Sequence, residues 1–218
     1  KGKEVLERFR ADVENILRKI QDNQREVRSR EEFIQIFKRL KTEEGSCGVV
    51  YLDLSIQDYF IMQISHGGQL EINGNLYTEF SGQEIEPIII HEVTHLLRIQ
   101  RNRAERENDL RKIPLESDLL SHELSRERFK RLAALHVRNE VEAYQEEFAY
   151  MAQQAKSFGW DSVRRYLSDL AGKTKVLIWK EWCQAIANFV DDNGKCDEND
   201  LSLRIVAHKI TQYHLLIL

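Results

Sequence analysis

The sequence predicts an α+β fold in which helices dominate and one small, mainly antiparallel sheet precedes a central helix. Apolar residues recur at three- and four-residue steps over most of the chain, as they do on the buried face of a helix. Residues 47–80 instead carry β-branched and aromatic runs separated by turn-forming stretches, which is typical of short strands. With only two prolines in 218 residues, long helices can run without interruption.

Two amphipathic helices are predicted at the start of the chain. The first follows from the spacing of Leu6, Phe9, Val13, Ile16, Leu17 and Ile20. The second begins at a capping-box pattern in residues 29–32 and continues through Phe33, Ile34, Ile36, Phe37 and Leu40. We interpret both as packing elements and assign residues 1–44 to an N-terminal helical segment.

Strands are predicted in the segment that follows Gly45. The runs 49–52, 59–62 and 70–72 are apolar or alternating, and residues 65–68 and 73–75 are turn signals. From Pro87 onward the pattern is helical again, and Pro87 is expected as the first residue of its helix, where its missing N–H does no harm.

Further helices are predicted over residues 125–156, 161–170 and 174–190 and from residue 199 to the end. The first of them is expected to stop at Gly159, and a polar turn is expected at residues 191–194. We assign residues 45–158 to a central core and residues 159–218 to a C-terminal helical segment, with all three segments forming one compact unit.

Composition and charge exclude several classes of partner. Hydrophobic residues make up 42% and charged residues 31% of the chain, and the net charge is −4. This balance is typical of a globular protein and gives no reason to expect nucleic acid or an anionic membrane as a partner. Three widely spaced cysteines, Cys47, Cys183 and Cys196, favour a reducing compartment, so we expect a cytoplasmic location.

The chemistry of the chain is indicated by His91, Glu92 and His95, which form an HExxH motif. Two histidines four residues apart lie on one face of a helix, so both imidazoles can bind a single Zn²⁺. Glu92 lies at the flank of that pair, where a carboxylate can take a proton from metal-activated water without binding the metal. The apolar residues around the motif would make two histidines and a glutamate costly to bury without a ligand. The motif therefore predicts a zinc-dependent hydrolase.

A third protein ligand is required, because a catalytic zinc site has three and leaves one position open. Arg98 and Arg101 stand where a metzincin sequence would carry its glycine and third histidine, so a glutamate from a later helix is the alternative. On a helical projection, Glu140 shares its stripe with mainly apolar residues, whereas the stripe of Glu142 is polar. We therefore predict Glu140 as the ligand and Glu142 as a solvent-facing residue, with Glu146, Glu147 and His136 as alternatives.

These motifs resemble the gluzincin class of zinc metallopeptidases, in which a helix carrying a ligating glutamate follows the HExxH helix by a few dozen residues. Glu140, Ala143 and Tyr144 match its Glu-x-x-(small)-(polar) pattern, and the resemblance covers roughly residues 45–156. It implies a zincin-like domain and a polypeptide substrate, bound in extended form along an edge strand of the sheet before the HExxH helix.

The chain departs from the class at Tyr144, where an acidic residue that contacts a zinc histidine is usual. Tyr144 can orient a ligand, stabilise the tetrahedral oxyanion as a catalytic residue, or simply pack within the helix pair. His136, one turn before Glu140, is a further candidate for the first two roles. Cys47 can approach the metal as an inhibitory thiolate, although a small core residue is the preferred interpretation.

The sequence thus predicts a metalloendopeptidase that binds Zn²⁺ through His91, His95 and Glu140, with Glu92 as general base and Tyr144 as a second catalytic residue. One alternative is a regulatory or toxin-type protease domain with a single protein target, cut from a larger protein. Lys1 at the start of the chain and the apolar residues 215–218 at its end are compatible with that alternative. Another alternative is a non-catalytic zinc-binding scaffold, which the presence of Glu92 disfavours.

Overall fold

Helices form most of the chain that the structure describes. The computed structural model describes residues 2–22, 30–42, 50–51, 61–64, 69–111, 122–157, 159–160, 162–173, 177–188 and 190–215. In chain order the elements are α1 (Gly2–Asp22), α2 (Arg30–Thr42), β1 (Val50–Tyr51), β2 (Met62–Ile64), β3 (Leu70–Asn73), α3 (Gly74–Glu79), α4 (Gly82–Arg111), α5 (His122–Ser157), α6 (Val163–Lys173), α7 (Leu177–Ala187) and α8 (Glu198–Leu215). The predicted helix-dominated α+β class is confirmed. None of the helices in these residues has the length and apolar character needed to cross a membrane.

The two predicted N-terminal helices are confirmed, and they pack against each other and against α4. α1 buries Val5, Phe9, Asp12, Val13, Ile16 and Leu17. α2 buries Phe33, Ile34, Ile36, Phe37 and Leu40. These are largely the residues whose spacing predicted the helices, because one apolar stripe per helix faces the core. The capping residues predicted before α2 begin at Ser29, which lies outside the described residues.

A small sheet with the strand order β1-β3-β2 precedes α4, as predicted. β2 pairs antiparallel with β3, with Met62 opposite Ile72, whereas β1 pairs parallel with β3. β1 and β3 run in the same direction, and β2, which lies between them in the sequence, runs the opposite way. In space, β3 lies between β1 and β2. The sheet was predicted to be mainly antiparallel, and in the described residues it is mixed, with one antiparallel and one parallel pair of strands. Cys47 and the turn predicted at residues 65–68 lie outside the described residues.

The turn predicted after β3 is the start of a short helix. The side chain of Asn73 accepts a hydrogen bond from the backbone N–H of Leu76 at 3.2 Å and caps α3. Asparagine and glycine are turn-forming residues, but asparagine is also a preferred helix cap, which is the role it takes here.

The expectation that Pro87 begins the HExxH helix is wrong, because α4 begins at Gly82. The backbone N–H of Ser81 donates to Glu84 Oε2 at 2.7 Å, and the carbonyl of Ser81 accepts from the N–H of Ile85 at 3.0 Å. Ser81 and Glu84 form the cap of the helix, so Pro87 lies in its second turn. The helix tolerates the proline with the loss of one backbone hydrogen bond.

Buried Glu86 joins three helices through one carboxylate oxygen. Its Oε2 accepts hydrogen bonds from Lys19 Nζ of α1 at 2.6 Å, Tyr150 Oη of α5 at 2.7 Å and Gln154 Nε2 of α5 at 3.1 Å. Tyr150 and Gln154 are also buried. A buried carboxylate is tolerated only when it is paired and hydrogen-bonded, and here its partners fix α1 and α5 against the start of α4.

The C-terminal segment contains the three predicted helices, α6, α7 and α8, each within a few residues of its expected bounds. α5 ends near Gly159 (φ 73°), as predicted. The polar turn is also confirmed, since Asp191 Oδ1 accepts from the N–H groups of Asn193 and Lys195, both at 2.8 Å. At Gly194 (φ 78°), a Cβ would lie 2.7 Å from the carbonyl oxygen of Phe148, so this turn packs directly on the backbone of α5.

Replacement of Glu86 by Ala should destabilise the protein, because it removes the acceptor shared by Tyr150 and Gln154. Each stranded buried donor costs about 1–3 kcal/mol. Urea unfolding followed by circular dichroism measures the change in the free energy of unfolding. The control is Glu7→Ala, which removes an exposed glutamate that pairs with Lys3 on the surface of α1 and should change stability by less than about 0.5 kcal/mol. Equal stabilities of the two variants would contradict a structural role for Glu86.

Candidate metal centre

The HExxH motif lies in the middle of α4 and presents its two histidines on one face, as predicted. His91 Nε2 and His95 Nε2 are 3.2 Å apart, and the two rings meet edge to face with centroids separated by 4.9 Å. His91 is buried and His95 is half-buried. The i, i+4 spacing of a helix places both nitrogens where one ion can contact them.

α5 crosses this face and brings Glu140 to both histidines. Glu140 Oε2 lies 3.5 Å from His91 Nε2, and Glu140 Oε1 lies 3.7 Å from His95 Nε2. Ala143, one turn later on α5, is completely buried. The structure therefore brings together the three residues that the sequence predicted as ligands.

The spacing of these three donors fits a metal ion. Ligand atoms of His91, His95 and Glu140 all lie within 4.8 Å of one another. A tetrahedral ion with bonds of about 2.0–2.2 Å holds its ligand atoms about 3.3–3.6 Å apart. The separations of 3.2 Å between the two Nε2 atoms and 3.5 Å from His91 Nε2 to Glu140 Oε2 are close to that range, and the 3.7 Å contact of His95 Nε2 is to the other oxygen of Glu140. Two imidazoles and one carboxylate are a donor set that suits Zn²⁺ and related transition ions.

Glu142 points elsewhere, although it lies only two residues after Glu140. Its carboxylate contacts the guanidinium group of Arg98 on α4. The side chain of Glu142 is 38% exposed and that of Arg98 is 16% exposed. The sequence predicted Glu142 as a solvent-facing residue, whereas the structure places it half-buried in an ion pair between the two helices.

Glu147 has a role that the sequence interpretation missed, since it had been considered only as an alternative metal ligand. Its Oε2 lies 2.9 Å from His91 Nδ1, and the residue is almost completely buried. When His91 carries its proton on Nδ1, the N–H group donates a hydrogen bond to Glu147. The unprotonated Nε2 then faces Glu140 with its lone pair, which is the arrangement that a metal-binding histidine needs. Glu147 lies seven residues after Glu140 and so on the same face of α5. This seven-residue spacing is the sequence feature from which a contact of Glu147 with the metal centre could have been predicted.

The electrostatics of the cluster call for a positive charge. Burial disfavours the imidazolium form of His91, but hydrogen bonding to Glu140 and Glu147 outweighs burial and raises the pKa of His91 to about 10. Burial also raises the pKa of Glu147. The negative charge of Glu140 and Glu147 is thus balanced either by a proton on His91 or by a metal ion that replaces this proton. Metal binding and protonation of His91 therefore compete.

The two predicted catalytic residues lie beside the cluster. Glu92 is half-buried on α4, and its charge raises the pKa of both His91 and Tyr144. The ring of Tyr144 meets the ring of His91 edge to face at 4.4 Å and packs against Phe148 and Trp182. Burial and the neighbouring carboxylates raise the pKa of Tyr144 well above its usual value, so its hydroxyl stays protonated and can donate a hydrogen bond.

His136 and Glu146, the other alternative ligands, are not part of the donor cluster found among the described residues. His136 Nε2 lies 3.7 Å from Glu140 Oε1, and its side chain is 57% exposed. Glu146 is half-buried.

Comparisons of the chain with models of protein families, with curated proteins and with solved structures find no match. The assignment of this centre therefore rests on the chemistry and spacing of its own residues.

Proposed function

We propose that this protein is a zinc-dependent metallopeptidase in which His91, His95 and Glu140 bind the ion and Glu92 acts as general base. The observation that carries the proposal is the convergence of the three donors from two helices, with ligand atoms within 4.8 Å of one another. Glu147, hydrogen-bonded to His91 Nδ1, adds the outer contact that is usual for a metal-binding histidine.

Glu92 supplies the acid–base chemistry. A bound Zn²⁺ contributes Lewis acidity, which lowers the pKa of water and polarises a carbonyl group. Glu92 directly follows His91 in the sequence and is half-buried. Its carboxylate can therefore take up a proton from water and pass it to the leaving amine. In this proposal Glu92 does not bind the ion.

Tyr144 is the proposed donor to the developing oxyanion. Its hydroxyl is protonated at neutral pH, and packing against His91 and Trp182 holds its ring in place. A fixed donor beside the reacting group stabilises charge without reorganisation at the moment of reaction.

The proposed substrate is a polypeptide, an inference that rests on the resemblance to gluzincins. β2 is an edge strand of the described sheet and contacts α4, which carries the HExxH motif. An extended peptide added to this edge would run alongside that helix. The alternating burial of Met62, Gln63 and Ile64 leaves the side chain of Gln63 exposed on one face of the strand.

The purified protein should hold about one zinc ion per chain, because three protein ligands with one open position form a complete catalytic site. Replacement of both His91 and His95 by Ala should abolish this binding, as measured by atomic emission after dialysis. Full zinc occupancy in the double variant would contradict the assignment of the metal centre.

Glu92→Gln should retain zinc but lose peptidase activity by about a hundred- to ten-thousandfold, which is the usual contribution of a general base. Activity on a quenched fluorescent peptide and zinc content are measured on the same preparation. Glu181→Gln is the matched control, since Glu181 is exposed on α7. A Glu92→Gln protein with normal activity would exclude this mechanism regardless of its metal content.

Glu140→Ala should weaken zinc binding strongly, whereas Glu142→Ala should leave zinc affinity nearly unchanged. The second substitution breaks the pair with Arg98 and should lower stability by no more than about 1 kcal/mol, because the pair is partly exposed. Competition with a chromophoric chelator measures affinity, and urea unfolding measures stability. If instead Glu142→Ala removes the metal and Glu140→Ala does not, the proposed ligand set is wrong.

A further inference from the structure

Both helices of the candidate metal centre carry ligand-type residues four positions apart. On α4 these are His91 and His95, and on α5 they are His136 and Glu140. Each pair spans about one helical turn, so each can direct two side chains to the same point. The proposed ligand set uses both members of the first pair but only Glu140 of the second.

His136 stands at the open side of the centre. Its Nε2 lies 3.7 Å from Glu140 Oε1, the same separation that joins His95 Nε2 to that oxygen. Its side chain is 57% exposed, whereas those of His91 and His95 are 10% and 17% exposed. In this structure His136 is not a member of the cluster of described residues whose ligand atoms are all within 4.8 Å of one another.

We propose that His136 is a fourth protein ligand, which closes the metal centre when no substrate is bound. This inference rests on the proposed function, because it assumes the zinc site formed by His91, His95 and Glu140. Four protein ligands form a closed site of the structural type, whereas catalysis needs one open position. The resting protein is then inactive, and a substrate must displace His136 before it can react.

The geometry permits this exchange. An exposed side chain changes rotamer on a picosecond to nanosecond timescale. Glu140 lies one turn away on the same helix, so a change in the His136 side-chain torsions alone moves its ring relative to the donors, without movement of the backbone. When His136 binds, its neutral imidazole takes the position of a neutral water molecule. The charge and oxidation state of the metal therefore stay the same.

X-ray absorption at the zinc edge tests this directly, because outer-shell scattering counts the imidazole ligands. The samples are the full chain loaded with zinc alone, His136→Ala, and His122→Ala as the matched control. His122 is the first residue of α5, about 27 Å from Glu140 at 1.5 Å per residue. We expect three imidazoles in the wild type and in His122→Ala, and two in His136→Ala. Circular dichroism checks the fold of each variant.

Zinc affinity and activity provide the second readout. Loss of a direct ligand should weaken zinc binding by more than the roughly 10- to 100-fold typical of an outer contact. At saturating zinc, His136→Ala should be more active than the wild type, because its open position is already available and no protein ligand has to be displaced.

Two imidazoles in the wild type, or three in both the wild type and His136→Ala, would overturn the inference. So would a loss of activity in His136→Ala with an unchanged imidazole count, which would indicate a contact with the substrate instead. A wild-type protein that binds no zinc would reject the proposed function itself, so the two failures are distinguishable.

Discussion

The antiparallel packing of α4 against α5 is the interaction on which the rest of the structure depends. Polar contacts join the two helices along their length. From Glu86–Tyr150 through His91–Glu147 to His95–Glu140, residue numbers rise on α4 and fall on α5, and Arg98–Glu142 adds a contact at the far end. These contacts fix the register of the pair. A slip of one turn, about 5.4 Å, would separate every donor in the centre from its partner.

Burial changes along this helix pair, so that one end forms a buried hydrogen-bond network and the other end is exposed. At one end, Glu86, Tyr150 and Gln154 are buried and form a network that also includes Lys19 of α1. At the other end, Ile99 and His136 are exposed. The centre lies between the two ends, so it has a buried inner side and an accessible outer side. This placement allows preorganised donors and access for a ligand in the same site.

Local periodicity was sufficient to predict much of the site. The i, i+4 spacing placed His91 and His95 on one face, and the helical stripe distinguished Glu140 from Glu142. What the sequence could not give depends on how two helices meet. The contacts of Glu147 with His91 and of Glu142 with Arg98 follow from the register of α4 against α5, which no local pattern encodes. The start of α4 was misplaced for a different reason: proline is favoured at the first position of a helix, but here the cap is formed earlier in the chain, by Ser81 and Glu84.

The ligands on the two helices lie far apart in the sequence, and this has a consequence for how long the folded chain persists. Glu140 follows His95 by 45 residues. Under the proposed ligand set, one ion cross-links these positions in the way a disulfide joins two cysteines, and the entropy of closing so long a loop is offset by coordination bonds. The population of folded molecules then depends on the free metal concentration. Scarcity of the ion would expose the chain to proteolysis, so metal supply would govern the lifetime of this protein.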